Sequence, residues 1–287
     1  MIYLLLSITA STLIFIIFKL LDKFKINTLQ AIVVNYFTAC LFGVLSYDKP
    51  LNVGEILESK WLLGAIVLAF LFIAVFNVMA ITAQRNGISV VSVASKMSVI
   101  IPVVFGIYAY NEGVGAQKII GIILALIAVY LTSVRPKTTS NLAKGLLFPI
   151  LLFFGSGIID TSIKYIETTY ISENGIPIFS ATIFAFAFII GSSILIYRSF
   201  KKSRNIPFKT IIAGSALGIV NYYSMCYLLK ALNHESLESS TLFTVNNVAI
   251  VMISTLLGLL AFKESISKTN WFGILLAIVS IVLVTLS

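Results

Sequence analysis

Apolar residues run along this chain in blocks of about twenty, and each block closes on a few polar or charged positions. A membrane-spanning helix needs roughly 20 consecutive, mostly apolar residues. Ten blocks meet that length: about 2–20, 28–46, 61–83, 88–110, 116–134, 145–166, 175–197, 208–231, 239–261 and 269–286. The links between them are short, the longest being 47–60 and 198–207, which leaves no room for a soluble catalytic domain. The pattern predicts an all-α integral membrane protein of ten transmembrane helices. The first block, MIYLLLSITASTLIFIIFK, lacks a basic leading region and a small-residue cleavage site, and is read as a span rather than a secretory signal.

Composition agrees with this. Hydrophobic residues make up 59% of the chain and charged residues 11%, with a mean hydropathy of +1.04; about a quarter of an ordinary soluble domain is charged. The net charge of +9 is distributed unevenly. Odd-numbered connections hold Lys19, Lys23, Lys25, Arg85, Arg135, Lys137, Lys144, Arg198, Lys201, Lys202, Arg204, Lys209, Lys263 and Lys268, whereas even-numbered ones hold Lys49, Lys60, Lys118 and Lys230. Basic residues gather on the cytoplasmic side of membrane proteins, so the charge reports topology and not a nucleic-acid partner. It puts the odd connections in the cytoplasm and both termini outside, in what is expected to be a bacterial inner membrane. Cys40 and Cys226 lie inside predicted helices, where they serve as small packing residues. No metal-ligand spacing and no cofactor motif is present.

The chain also repeats itself. Shifted by 152 residues, GIYAYNEGVGAQKIIGIILALIAVYL (106–131) matches GLLAFKESISKTNWFGILLAIVSIVL (258–283), pairing Gly106, Glu112, Gly121 and Ala125 with Gly258, Glu264, Gly273 and Ala277. Near the starts of the halves a shift of 145 pairs Ser11 with Ser156 and Lys19 with Lys164. Two five-helix units are expected, 1–134 and 145–287, joined by a linker at 135–144 within one membrane domain. Five is odd, so the second unit enters the bilayer from the opposite side and the repeat is inverted. Inverted repeats around a midplane site are the architecture of alternating-access carriers.

On the pattern G-x5-E-x8-G-x3-A, present twice, and on Lys19 and Lys164 closing helices 1 and 6, the whole chain resembles the drug/metabolite transporter superfamily, in particular its EamA-like ten-helix branch. It departs from that family at Thr9 and Ala10, where Trp-Gly is common before the serine, and at Asn35, near a frequent arginine. Members are often drawn with cytoplasmic termini, against the charge count here. The resemblance implies export or uptake of small metabolites, amino acids or drugs, often driven by the proton gradient or by exchange; efflux is the direction expected for this chain.

Within the predicted bilayer, Lys96 stands out. Its helix starts near Ile88, which places the lysine Cα about 12 Å deep, near the middle of a core roughly 30 Å thick. Ser89, Ser92 and Ser95 share or adjoin its face, and Pro102 is expected to kink the helix and free a carbonyl. Either Lys96 receives an anionic group of a substrate, or it pairs with an acid or carbonyls for structural reasons; intramembrane charges are functional candidates by default. Thr241, Thr244, Asn247 and Ser254 form a corresponding stripe on helix 9, lining a path or bonding between helices. Asn77 and Asn221 are further candidates for such a lining. Asp160, one turn before Lys164, is either half of a local ion pair or a protonatable coupling group, since desolvation favours a neutral carboxyl. Glu112 and Glu264 sit in turns before helices 5 and 10, where negative charge suits a helix N-terminus.

A carrier of a small anionic or zwitterionic solute, with an amino acid first among them, accounts for these features. An intramembrane enzyme acting on a lipid or polyprenyl substrate would need a nucleophile and base or a metal site, and the single histidine, His234, lies in a link beside Glu235. A channel or scaffold is the other alternative. ATP-driven transport within this chain is excluded by the lack of a G-x4-GK[ST] loop.

Overall fold

A computed structural model describes residues 2–47, 52–110, 115–133, 142–171, 175–201, 206–234 and 239–285. Among these residues every regular element is a helix: α1 (Ile2–Lys23), α2 (Thr28–Leu45), α3 (Val53–Glu58), α4 (Leu62–Asn86), α5 (Ile88–Met97), α6 (Ile100–Tyr110), α7 (Ala116–Ser133), α8 (Leu142–Tyr170), α9 (Ile176–Lys201), α10 (Phe208–His234), α11 (Ser239–Phe262) and α12 (Lys268–Thr285). Eight stretches are long and apolar enough to cross a membrane, on α1, α2, α4, α5 with α6, α8, α9, α10 and α11. Shorter apolar runs, Ile119–Thr132 and Lys268–Val284, fall on α7 and α12. Many large apolar side chains on these helices face outward, among them Leu63, Leu126, Ile189, Leu256 and Leu260, as expected where lipid takes the place of water. The chain is thus a helical, multi-pass membrane protein.

The departures from the sequence pattern have local causes. α1 runs one turn past Lys19, because Lys25 adopts a left-handed conformation (φ +52°) and lets the Ile26 amide return to the Leu21 carbonyl at 2.8 Å, a Schellman ending. α3 occupies a stretch expected to be a link; the Asn52 side chain accepts from the Gly54 and Glu55 amides and donates to the Glu55 carboxylate. The expected linker at 135–144 overlaps the start of α8, and its remaining residues lie outside the described ones.

The chain divides into two compact units: Met1–Lys19, Val78–Ile158 and Tyr223–Ser287 in the first, Leu20–Asn77 and Ile159–Tyr222 in the second. Each draws on both halves of the sequence. The core of the first unit is aliphatic, built from Val93, Met97, Ile100, Ala125, Ala128, Val129, Val251, Ile274, Ala277 and Ile281 with Phe153. Its tightest seam joins α7 and α12. A methyl group at Gly121 would lie 2.5 Å from Val284 Cγ2 and 3.2 Å from Leu283 Cβ, and one at Gly273 would lie 2.8 Å from the Thr132 amide and 2.9 Å from Leu131 Cβ. The start of each helix therefore meets the end of the other, so the two run antiparallel. Polar side chains bridge the same ends: Asn270 donates to the Leu131 and Thr132 carbonyls at 2.9 Å, and Gln117 donates to the Leu283 carbonyl at 3.3 Å.

The second unit is built differently, around aromatic rings. Tyr36 is fully buried, lies 5.6 Å from Phe76 and 6.1 Å from Phe184 between ring centroids, and donates its hydroxyl to the Phe72 carbonyl at 2.7 Å. α2 and α9 meet through glycines, with Gly43 against Ala181 and Gly191 against Val33.

Candidate functional site

The predicted fourth span is not one helix. α5 ends at Met97, Ser98 and Val99 form a turn, and α6 starts at Ile100. Pro102 explains the break, because it has no N–H to give the Ser98 carbonyl four residues earlier. That carbonyl instead accepts from the Ile101 amide at 2.9 Å, and Ser98 Oγ donates to the Ser95 carbonyl at 2.6 Å. The local winding tightens and the span is interrupted at its centre.

Lys96 occupies the last turn of α5, two residues before the break and ninth among the 18 residues of the span Ile88–Phe105. A cation there suits the negative end of the helix dipole. Most of α5 is buried, with Val91, Ser92, Val93 and Met97 at 0% exposure, yet Ser95, Lys96 and Val99 remain partly open around the break. A partly exposed cation and an unwound stretch of backbone therefore coincide.

The start of α5 is held by charge. Gly87 separates α4 from α5 with φ +104° and ψ 166°, a region essentially confined to glycine, and having no side chain it supplies no cap of its own. The cap comes from Glu264, just past the end of α11. Its Oε1 accepts from the Ile88 amide at 2.8 Å, and its Oε2 lies 3.5 Å from the Ser89 amide and 3.4 Å from the Ser89 hydroxyl. Lys263, in the left-handed conformation at φ +50°, turns the chain so that the Glu264 amide returns to the Gly258 carbonyl at 2.9 Å. Side chains on Gly87 or Gly258 would fall within 2.7 Å of the carboxylate. Lys19 Nζ lies 3.9 Å from Glu264 Oε1 and donates to the Ala83 and Gln84 carbonyls at 3.2 Å, closing the end of α4. Gln84 in turn donates to the Phe18 carbonyl at 3.2 Å. One carboxylate and one ammonium thus tie together α1, α4, α5 and the end of α11.

This corrects the sequence reading of Glu264. Its turn precedes α12, but the helix it caps is α5, 176 residues upstream. Gly258 and Gly87 make room for the carboxylate. Gly121 and Gly273 serve the α7–α12 seam, with Ala125 and Ala277 fully buried one turn on. Glu112 lies outside the described residues, as do the surroundings of Gly106.

The other predicted site residues are distributed as follows. Ser92 Oγ donates to the Ser89 carbonyl of its own helix at 2.9 Å, and Ser89 belongs to the clamp, so two serines of the expected stripe are already engaged. Asn247 is buried on α11, which packs against α5. Its neighbour Asn246 accepts from Ser7, whose hydroxyl also reaches the Ser224 carbonyl, both at 3.2 Å. The Thr244 and Thr241 side chains lie outside the described residues. Asn77 and Asn221 belong to the second unit; Asn77 donates to the Ile73 carbonyl of its own helix at 2.7 Å, and Asn221 is buried. Asp160 and Lys164, one turn apart on α8, both lie at the protein surface, Asp160 within the candidate span Leu146–Ile166. Nothing local in the sequence marks Gly87, Ser89 and Lys19 as parts of one clamp. A glycine between two apolar runs was the signal available for the first of them.

No group of three or more His, Cys, Asp or Glu side chains suited to a metal ion occurs among the described residues. No family model matches the chain. An uncharacterized protein of Haemophilus influenzae is 28% identical over 281 residues, covering 96% of this chain and 94% of its own length. A solved crystal structure is similar in fold, with a TM-score of 0.60 and 16% identity across 99% of this chain and 97% of that one. The fold is therefore shared, over nearly its whole length, with a protein of known structure.

Proposed function

We propose that this protein is a secondary carrier that moves a small anionic or zwitterionic metabolite, an amino acid or related solute, out of the cell by alternating access. The observation that carries the reading is Lys96, a cation at the centre of a span, beside a break in that span and partly open. Discontinuous helices at midplane are where carriers bind substrates. A cation in hydrocarbon is costly enough to need a reason.

The ten-helix inverted repeat belongs to this proposal. The contacts at Gly121 and Gly273 support it, since adding 152 to Gly121, Leu131 and Thr132 gives Gly273, Leu283 and Val284. Each contact is the other with the partners exchanged, the mark of an interface between equivalent surfaces. Gly43 against Ala181 and Gly191 against Val33 are reciprocal in the same way at a shift of 148. α5 also packs on α11, its counterpart in the repeat. The drug/metabolite transporter resemblance agrees with this organisation. Asp160 is the group to test for proton coupling.

The test is a thermal-shift screen of the purified protein against amino acids, organic anions, nucleotide sugars and cationic drugs, with Lys96→Ala and Lys96→Arg alongside. A ligand at 100 times its Kd raises native-state stability by about 2.7 kcal/mol. An anionic or zwitterionic class should stabilise wild type, lose its effect in Lys96→Ala and keep part of it in Lys96→Arg. Equal responses in all three proteins would remove Lys96 from the site.

A further inference from the structure

We infer that the Lys19–Glu264 clamp is a releasable latch on α5, and that Glu264 acts as a positioning residue for Lys96. The inference rests on the carrier reading for its purpose, but its geometry stands apart from it. α5 has ten residues, a rod about 15 Å long, with a glycine-only backbone joint at one end and the Ser98–Val99 turn at the other. A rod between two joints moves as one piece, so displacement of its start is felt at Lys96.

The source of the cap makes it conditional. A cap supplied by the residue before a helix travels with that helix. Here the preceding residue is Gly87, and the acceptor comes from a turn 176 residues away, so α5 is capped only while the end of α11 stays beside it. The ion pair is also loose. At 3.9 Å, Lys19 Nζ is beyond the 2.7–2.9 Å of a direct charged hydrogen bond, and its direct bonds go to the Ala83 and Gln84 carbonyls. Both side chains keep some exposure, 23% for Lys19 and 13% for Glu264. Water can therefore take over these charges when the parts separate, unlike a sealed ion pair. Lys19, Gly87 and Glu264 all come from odd-numbered connections of the ten-helix arrangement, which alternating spans put on one side, so the latch sits at the basic face.

The experiment follows thiol modification in lipid nanodiscs, on a Cys40→Ala, Cys226→Ala background. Val91→Cys, at a position fully buried one turn into α5, reports the latch. Ala277→Cys, fully buried on the α7–α12 seam, reports opening of the whole unit. With excess N-ethylmaleimide, the cysteine at 91 should react faster than the one at 277. Adding Glu264→Gln should accelerate reaction at 91 by about tenfold or more, as loss of a charge-assisted hydrogen bond implies, and leave 277 unchanged. If Glu264→Gln does not fold, Lys19→Gln keeps the carboxylate on Ile88 and should give a smaller acceleration confined to 91. Equal rates at 91 and 277, or rates that neither variant changes, would overturn the latch and leave a fixed cap. No solute is needed, so the two readings fail separately. A working latch with no solute response in the thermal screen removes the carrier, and a Lys96-dependent response with unmoved labelling removes the latch.

Discussion

The α7–α12 seam and the α5 segment share the core of the first unit, to which Val93 and Met97 of α5 belong, but their ends are held in opposite ways. Along the seam, glycine and alanine bring two helices into contact over their length, and each end is pinned by the other's start. α5 is short, broken at one end and secured at the other by a carboxylate from elsewhere in the chain. Dense packing between apolar surfaces is short-ranged, so a seam of this kind cannot part slightly without losing most of its attraction. A charged contact near an exposed end exchanges its partner for water at much lower cost. The contrast separates a seam held by packing along its length from a helix whose first turn is held by a charge from a distant part of the chain.

Substitutions can break or sharpen that contrast. The largest effect is expected from Gly273→Val, whose side chain would meet the Thr132 backbone amide 2.8 Å from its Cβ; backbone cannot rotate away, and a loss of about 3 kcal/mol or more is expected. Denaturant unfolding in detergent should show it. Next is Gly87→Ala, which combines a forbidden backbone region with a Cβ 2.7 Å from Glu264, at about 2–3 kcal/mol; hydrogen exchange at the Ile88 and Ser89 amides should rise in the same variant. Glu264→Gln should lower global stability by about 1–2 kcal/mol, with the exchange confined to the start of α5. Gly121→Ala should have the smallest effect, about 1 kcal/mol, because the one atom within 3 Å of the added methyl is a Val284 methyl group and the nearest backbone atom, the Val284 amide, lies 3.2 Å away. Equal losses at Gly121 and Gly273 would show that the seam yields at both ends alike.

What the sequence disclosed followed the range of each interaction. The spans were legible because lipid selects for apolar runs within one stretch of chain. The break at Ser98–Val99 was half legible, since Pro102 announces a missing donor, while the site of unwinding depends on which carbonyl loses it. The clamp was hidden. Glu264 sits in a turn before α12, and local chemistry points to that helix, but the amides it serves belong to Ile88 and Ser89. Ser92 shows the same limit on a smaller scale, because a serine on the face of Lys96 satisfies itself on its own backbone.

The long reach of Glu264 also sets an order of events during synthesis. Ile88 leaves the ribosome 176 residues before its acceptor does, which at 5–20 residues per second is a wait of roughly 9–35 s. Throughout that interval the first turn of α5 lacks the acceptor that Glu264 supplies. A chain that stops before residue 264 holds the segment bearing Lys96 and every joint around it, but not the carboxylate that fixes its angle. The last turn to be made completes a segment laid down in the first third of the chain.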